Sequence, residues 1–570
     1  MTNNDQDLKL WRRVGLAGVG LIGVFAIISS ISRSSEYGSQ YSQPSIAVPL
    51  LLMAGTVLAF LALKFALRTE NRQRPLLFLI VCVAISLRAI GLFTTPILEI
   101  DYYRYIWDGK VSAEGVSPYS HSPARILKAE PTSESSYQQV VALSTESESN
   151  FVILQRIHFA DYRTIYPPVS QFVFSTAMKW FPHTASVQAH IVSIKAVMVL
   201  FDLLTMWLIF LLLTRLDFHQ GWLIAYAWNP LVIKEVANGG HLDSIVSFFI
   251  VVSVYLVTRW TLLEKAERKP MLPLLSGVAL GLGVGAKLFP VVLFPALLFT
   301  IARYRWSKAA LFSFSFIATS TLCLWPMYQA TSKVDHTVSR ENSLAENASR
   351  SPRASDEVID DGKEGLSSFL TQWRMNDVIF SGLYLNLKPD SPNKVDGRGS
   401  PWFVVSSNEF RKRVSQWCQS INLGGNHPTF ILTRILTMGL FVLFYVWQLI
   451  RIYKETDPNI GVNFKRLTWI AAVFLFLQPT VNPWYWIWIA PLACLSRNAG
   501  WLLVAGFLMT YYCRFCFMTI DGTYQFAGTD YSGEGLFDHG LAWIEFACII
   551  VVLVWFHFST KKRQAIAGLN

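Results

Sequence analysis

The 570-residue chain is 52% hydrophobic and only 15% charged, with a mean hydropathy of +0.36. Soluble proteins average about 25% charged residues, so roughly 50 to 60 charges are missing here; a soluble enzyme, a disordered protein and a disulfide-rich secreted domain are excluded. The net charge of +11 would suggest nucleic acid in a soluble chain, but here it reads as the Lys and Arg excess of cytoplasmic loops, with no nucleic-acid partner.

Apolar stretches long enough to cross a bilayer recur from end to end and predict an all-α, polytopic membrane protein with about fourteen transmembrane helices. The first, Val14 to Ile31, follows Lys9, Arg12 and Arg13 and ends without a small-x-small cleavage site. It is therefore expected to remain as a span, with residues 1–13 in the cytoplasm. Spans 2 (near Ser45 to Leu67) and 3 (near Leu76 to Thr94) flank the basic link Arg68, Arg72, Arg74. Residues 95–185 then form a first large extracytoplasmic loop. Spans 4 and 5 (near Val187 to Leu213 and Trp222 to Val236) fold around Arg215 and return Asn238-Gly239-Gly240-His241-Leu242-Asp243 to the outside.

Span 6 leads to the basic inner loop Arg259, Lys265, Arg268, Lys269. Spans 7 and 8 (near Leu272 to Gly285 and Leu288 to Ala302) meet outside at Gly285-Ala286-Lys287. Span 9 (Ala309 to Met327) exits into a second large loop, 328–426, and span 10 returns to Arg451, Lys454, Lys465 and Arg466. Spans 11 and 12 flank Gln478 to Tyr485; span 13 (near Trp501 to Thr519) and span 14 (Leu541 to Phe558) leave residues 559–570, with Lys561, Lys562 and Arg563, in the cytoplasm. Residues 14–558 thus read as one membrane domain. Glu130 to Asn150 and Thr331 to Gly365, the latter with the sequon Asn347-Ala348-Ser349, are expected to be unstructured. The seven cysteines are odd in number, and all but Cys418 fall in spans, which argues against a disulfide scaffold. Cys513 and Cys516 form a CxxC inside an apolar run, where helix packing explains them.

With so few charges near the membrane, those on the outer side carry the information. In Glu99-Ile100-Asp101-Tyr102-Tyr103-Arg104-Tyr105-Ile106-Trp107-Asp108-Gly109, helical spacing puts Asp101, Arg104, Tyr105 and Asp108 on one face. Tyr102, Tyr103 and Ile106 then suit a lipid interface. Either the Arg beside Asp101 keeps a functional carboxylate ionised, or the segment is a surface helix with an Asp–Arg pair. Tyr166-Pro167-Pro168 opens a further interfacial helix running to Trp180. Near His241, glycine closes one helix and Asp243 caps the next, which leaves His241 and Glu235 unexplained. Lys287 lies beside hydrocarbon, which marks a functional candidate unless it snorkels to the interface. Trp484 and Tyr485 in Asn482-Pro483-Trp484-Tyr485 fit either a sugar platform or an interfacial aromatic belt. No metal-ligand spacing occurs.

Glu99 to Gly109 followed by Gly115-Val116-Ser117-Pro118-Tyr119 resembles the first-loop signature of C-type glycosyltransferases. More closely it is similar to polyprenol-phosphate-mannose-dependent mannosyltransferases and the catalytic subunit of the first GPI mannosyltransferase. Tyr166-Pro167-Pro168, Asn229-Pro230, His241-Leu242-Asp243, Lys287-x-x-Pro290, Trp373 with Asn376, and Asn482-Pro483-Trp484-Tyr485 resemble later landmarks in the same order. The resemblance covers about residues 75 to 500 and departs in the acidic pair, which is Glu99-x-Asp101 rather than adjacent acids. It implies inverting transfer of a hexose, mannose first, from a polyprenyl-phosphate sugar to a lipid-linked or glycan acceptor, on the extracytoplasmic face of a bacterial-type plasma membrane or ER. By that reading Asp101 is the base, with Glu99 as helper or alternative. Arg104, Lys287 and His241 face the leaving phosphate, and Asp108, Tyr166, Asp243, Trp484 and Tyr485 contribute to substrate binding. No cofactor is expected, and a role for a divalent metal is left open. The rival reading, a transporter or flippase of lipid-linked saccharides, would place polar groups at the bilayer midplane with internal symmetry.

Overall fold

A computed structural model describes residues 3–35, 46–69, 73–98, 100–129, 133–182, 184–348, 373–390, 401–425, 427–455, 461–516 and 533–567. Among them the fold is all-α with no strand, and Met375 and Thr480 form an isolated parallel bridge. Eight helices among the described residues are long and apolar enough to cross a membrane. They include α1 (Asn3–Ser32), α2 (Ala47–Ala66) and α3 (Gln73–Phe93). All eight coincide with expected spans 1, 2, 3, 4, 6, 9, 10 and 14.

The six other expected spans are short or interrupted, and proline is the recurring cause. In the fifth, Asn229 accepts from the Leu231 amide to restart the helix at Pro230, and Ile233–Asn238 winds as a π-helix. In the eighth, Pro290 and Pro295 split the segment into a 3₁₀ turn and a nine-residue helix, Phe294–Ala302. In the twelfth, Pro483–Trp488 is a 3₁₀ turn.

The first outer segment supplies a bed for the site. It comprises α4 (Asp101–Ala113), α5 (Pro123–Lys128), α6 (Ser135–Thr145), α7 (Glu148–Gln155) and α8 (Pro168–Lys179). Two expectations fail here. Tyr102, Tyr103 and Ile106 do not face lipid: α4 is buried almost throughout, because α8 covers it and Gly109 lets the backbones approach. Within Glu130 to Asn150, Ser135–Thr145 and the start of Glu148–Gln155 are helical, since Tyr137, Val140, Leu143, Ile153 and Leu154 are apolar anchors at helical spacing and all are buried; residues 130–132 lie outside the described residues.

The next long helix, α9 (Val187–Arg215), buries charges that the outer-side reading passed over. Its Asp202 pairs with Arg88 at 2.7 Å and accepts from Tyr226. Lys195 donates to the Gly91 and Thr94 carbonyls, satisfying the end of α3. Asn238 holds the link to α4, donating to the Thr95 carbonyl and accepting from the Ile97 amide. Beyond it come α10 (Asp243–Thr261), α11 (Met271–Ala286), α12 (Phe294–Ala302) and α13 (Trp306–Ala348). Thr331 to Gly365 is thus helical up to Ala348, in a run free of glycine and of proline after Pro326; residues 349–372 lie outside the described residues.

Candidate active site

A cavity of about 350 Å³ opens beside the N-terminus of α4. Asp101, Arg104, Tyr166, Lys287, Trp484 and Tyr485 all line it, although they come from four separate stretches of chain. Asp108, His241 and Asp243 stand behind this lining, and Glu99 lies outside the described residues.

Asp101 begins α4 and accepts a hydrogen bond from the Tyr166 hydroxyl at 3.2 Å. Burial, with the nearby Asp101 charge, pushes the Tyr166 phenol well above its ordinary pKa, so it stays a donor. Tyr166 is itself fixed: Tyr119 donates to its carbonyl at 2.7 Å, and Tyr105 meets its ring edge-on at 4.9 Å. The Gly115-x-x-Pro118-Tyr119 run therefore acts as a brace. Gly115, at φ +78°, ends α4 in a conformation that favours glycine and turns the chain back toward Tyr166.

Arg104 does not pair with Asp101 as expected. It donates to Asp108 at 2.9 Å and to the Tyr162 carbonyl at 2.9 Å. Gln171 on α8 donates to the other Asp108 oxygen, so the carboxylate is held from both sides. Asp108 is thus a clamp on Arg104 rather than a cavity group. One guanidinium nitrogen of Arg104, Nη2, is buried without a partner. An unpaired buried donor in a cavity wall is costly unless a ligand meets it.

Lys287 follows α11 in extended backbone. Its ammonium reaches Asp243 at 2.8 Å and lies 4.5 Å from the Tyr485 ring centre and 4.8 Å from that of Trp488. Asp243 also accepts from the Trp488 indole and makes no capping bond to its own helix, so the expected cap is absent. A carboxylate and two ring faces hold one cation at the cavity wall. His241 sits behind Trp484, stacked at 4.8 Å and 8°, and bonded to the buried Glu235, which also pairs with Lys234. It is buried and does not itself line the cavity.

The outer-side reading missed Arg434, His158, Phe159 and Tyr162, all in the cavity wall. Arg434 had a signal, being a charge inside the apolar helix Pro428–Tyr453. No group of three His, Cys, Asp or Glu side chains able to hold a metal occurs among the described residues.

A family model for alpha-(1->6)-mannopyranosyltransferases, N-terminal domain, matches residues 12–303, just over half of the chain. The chain belongs to this family. The C-terminal domain model of MptB matches residues 414–529. No curated protein and no solved structure matches the chain. Membership makes the protein a membrane mannosyltransferase of the C type, in keeping with the resemblance carried by Glu99 to Tyr119 and the later landmarks. It also sets the transporter reading aside. The N-terminal match takes in α4, α8 and Lys287, and the second takes in Arg434 and Trp484-Tyr485. The cavity is therefore built from both matched regions.

Proposed function

We propose that the protein transfers mannose from a polyprenyl-phosphate donor to a hydroxyl of a lipid-linked or free glycan acceptor, on the extracytoplasmic face, with inversion at the anomeric carbon. The observation that carries this reading is the joint lining of one cavity by a carboxylate, Asp101, and two held cations, Arg104 and Lys287. Asp101 takes the proton from the acceptor hydroxyl as its oxygen attacks the anomeric carbon. The bond from that carbon to the phosphate oxygen breaks, and its electron pair leaves with the polyprenyl phosphate. Lys287 meets the charge that develops there, and the unpartnered Arg104 nitrogen donates to the phosphate or the sugar. Trp484 and Tyr485 are the sugar platform. Leu288 and Val291, exposed beside the cavity, give the apolar tail a route to lipid.

The family name supplies an α-(1→6) product. Inversion then requires the donor sugar to be β-linked to phosphate. With the Lys- and Arg-rich loops inside, both termini are cytoplasmic and the cavity lies on the far side.

The test is substitution of the acid. Asp101→Asn abolishes transfer while membrane insertion is kept, and Glu99→Gln retains a measurable rate. The reverse pattern moves the base to Glu99, and full activity in both variants removes the acidic segment from the chemistry.

A further inference from the structure

Between α7 and α8 the chain turns through His158 and Phe159. Phe159 holds φ +55°, a left-handed conformation that bulky side chains rarely adopt. The residue is 45% exposed and lines the cavity. Backbone strain and an exposed large ring are both unfavourable, and strained residues of this kind cluster at ligand sites. The surroundings hold the ring in place: His158 stacks on it at 3.9 Å and 11°, and Trp373 leans on it at 4.5 Å. Trp373 meets Tyr162 edge-on at 6.4 Å.

Two outer loops distant in sequence thus contribute rings to one wall. The second loop is fixed there by the Met375–Thr480 bridge and by Asn376, whose amide reaches Glu545 at 3.0 Å. None of the three rings lies on the elements that carry Lys287, Tyr485 and Trp488. They line the same cavity as the proposed base, Asp101, and the Tyr162 carbonyl accepts at 2.9 Å from Arg104, one turn along α4 from that acid.

A ligand suited to such a wall presents an apolar face with hydroxyls at its rim, which is the shape of a pyranose ring. Resting on the reading of Asp101 as base, we infer that Phe159, Tyr162 and Trp373 form the acceptor subsite, where a sugar residue of the glycan acceptor stacks and presents its hydroxyl to Asp101. The strain at Phe159 is then the cost of placing a ring beside the base.

Initial rates with donor and acceptor varied separately test this in the purified full-length protein, using polyprenyl-phosphate mannose and a mannose oligosaccharide. Phe159→Gly removes the ring and relaxes the backbone; Phe159→Ala removes the ring alone; Phe159→Tyr keeps it. In the first two the acceptor KM rises about tenfold while the donor KM moves by less than about twofold, and Phe159→Tyr behaves as wild type. An unchanged acceptor KM in Phe159→Gly, or a rise confined to the donor KM, overturns the subsite. Should Phe159→Ala fail to fold, the glycine and tyrosine variants still decide the matter. Failure of the underlying reading looks different: Asp101→Asn would transfer at the wild-type rate, whatever the acceptor KM.

Discussion

Asp101 and Lys287 are held in opposite ways. Asp101 has a neutral donor, Tyr166, whereas Lys287 has a carboxylate and two ring faces. Tyr166→Phe therefore deletes one hydrogen bond to the proposed base and leaves the packing in place. Turnover is expected to fall about tenfold with KM little changed, as steady-state rates will show, since such a bond is worth roughly 1 to 2 kcal/mol. Lys287→Met has a double effect: it weakens use of the lipid donor, and it strands the buried Asp243. Loss of one partner of a buried pair costs about 3 kcal/mol. Adding Asp243→Asn should restore thermal stability without restoring donor KM; recovery of both would remove Lys287 from the phosphate site.

Much of this was readable residue by residue, because an acid, a cation or a tyrosine that does nothing for solubility stands out in an apolar chain. The choice of partner was not. Arg104 has Asp101 three residues before it and Asp108 four after, and spacing permits either. Gln171 and the Tyr162 carbonyl, both far along the chain, favour Asp108. His241 was unexplained in sequence because its partners, Glu235 and Trp484, lie on two elements that only the fold brings together.

At the scale of elements, the site depends on α8 lying close against α4. A Cβ on Gly109 would stand 2.7 Å from the Phe174 carbonyl oxygen, which is backbone and cannot turn aside. Gly109→Ala should therefore destabilise the protein by roughly 1 to 3 kcal/mol, seen as a lower thermal midpoint in detergent and a proportionate loss of transfer. An unchanged midpoint would show that the two helices have slack. The helices themselves were legible: the Tyr-Pro-Pro start of α8 and the period of α4 are local signals. Burial of Tyr102 and Tyr103 was not, because an amphipathic pattern names a face and does not say whether lipid or protein covers it. Likewise, hydropathy located fourteen apolar stretches but could not tell a full span from one broken at Asn229-Pro230 or Pro290.

For the whole molecule, the proposal joins a bilayer-resident donor to a cavity built from both family-matched regions. Its topology is open to test: single cysteines placed near residue 420 and at residue 566 should label from opposite sides of the membrane, and same-side labelling would overturn the orientation drawn from the basic loops. The most direct measurement of the central claim is mannose transfer by the purified chain, and by its Asp101→Asn variant, from synthetic polyprenyl-β-phosphomannose. An α-linked product from the wild type and none from the variant is the predicted result; a β-linked product, or equal transfer by both proteins, would contradict it.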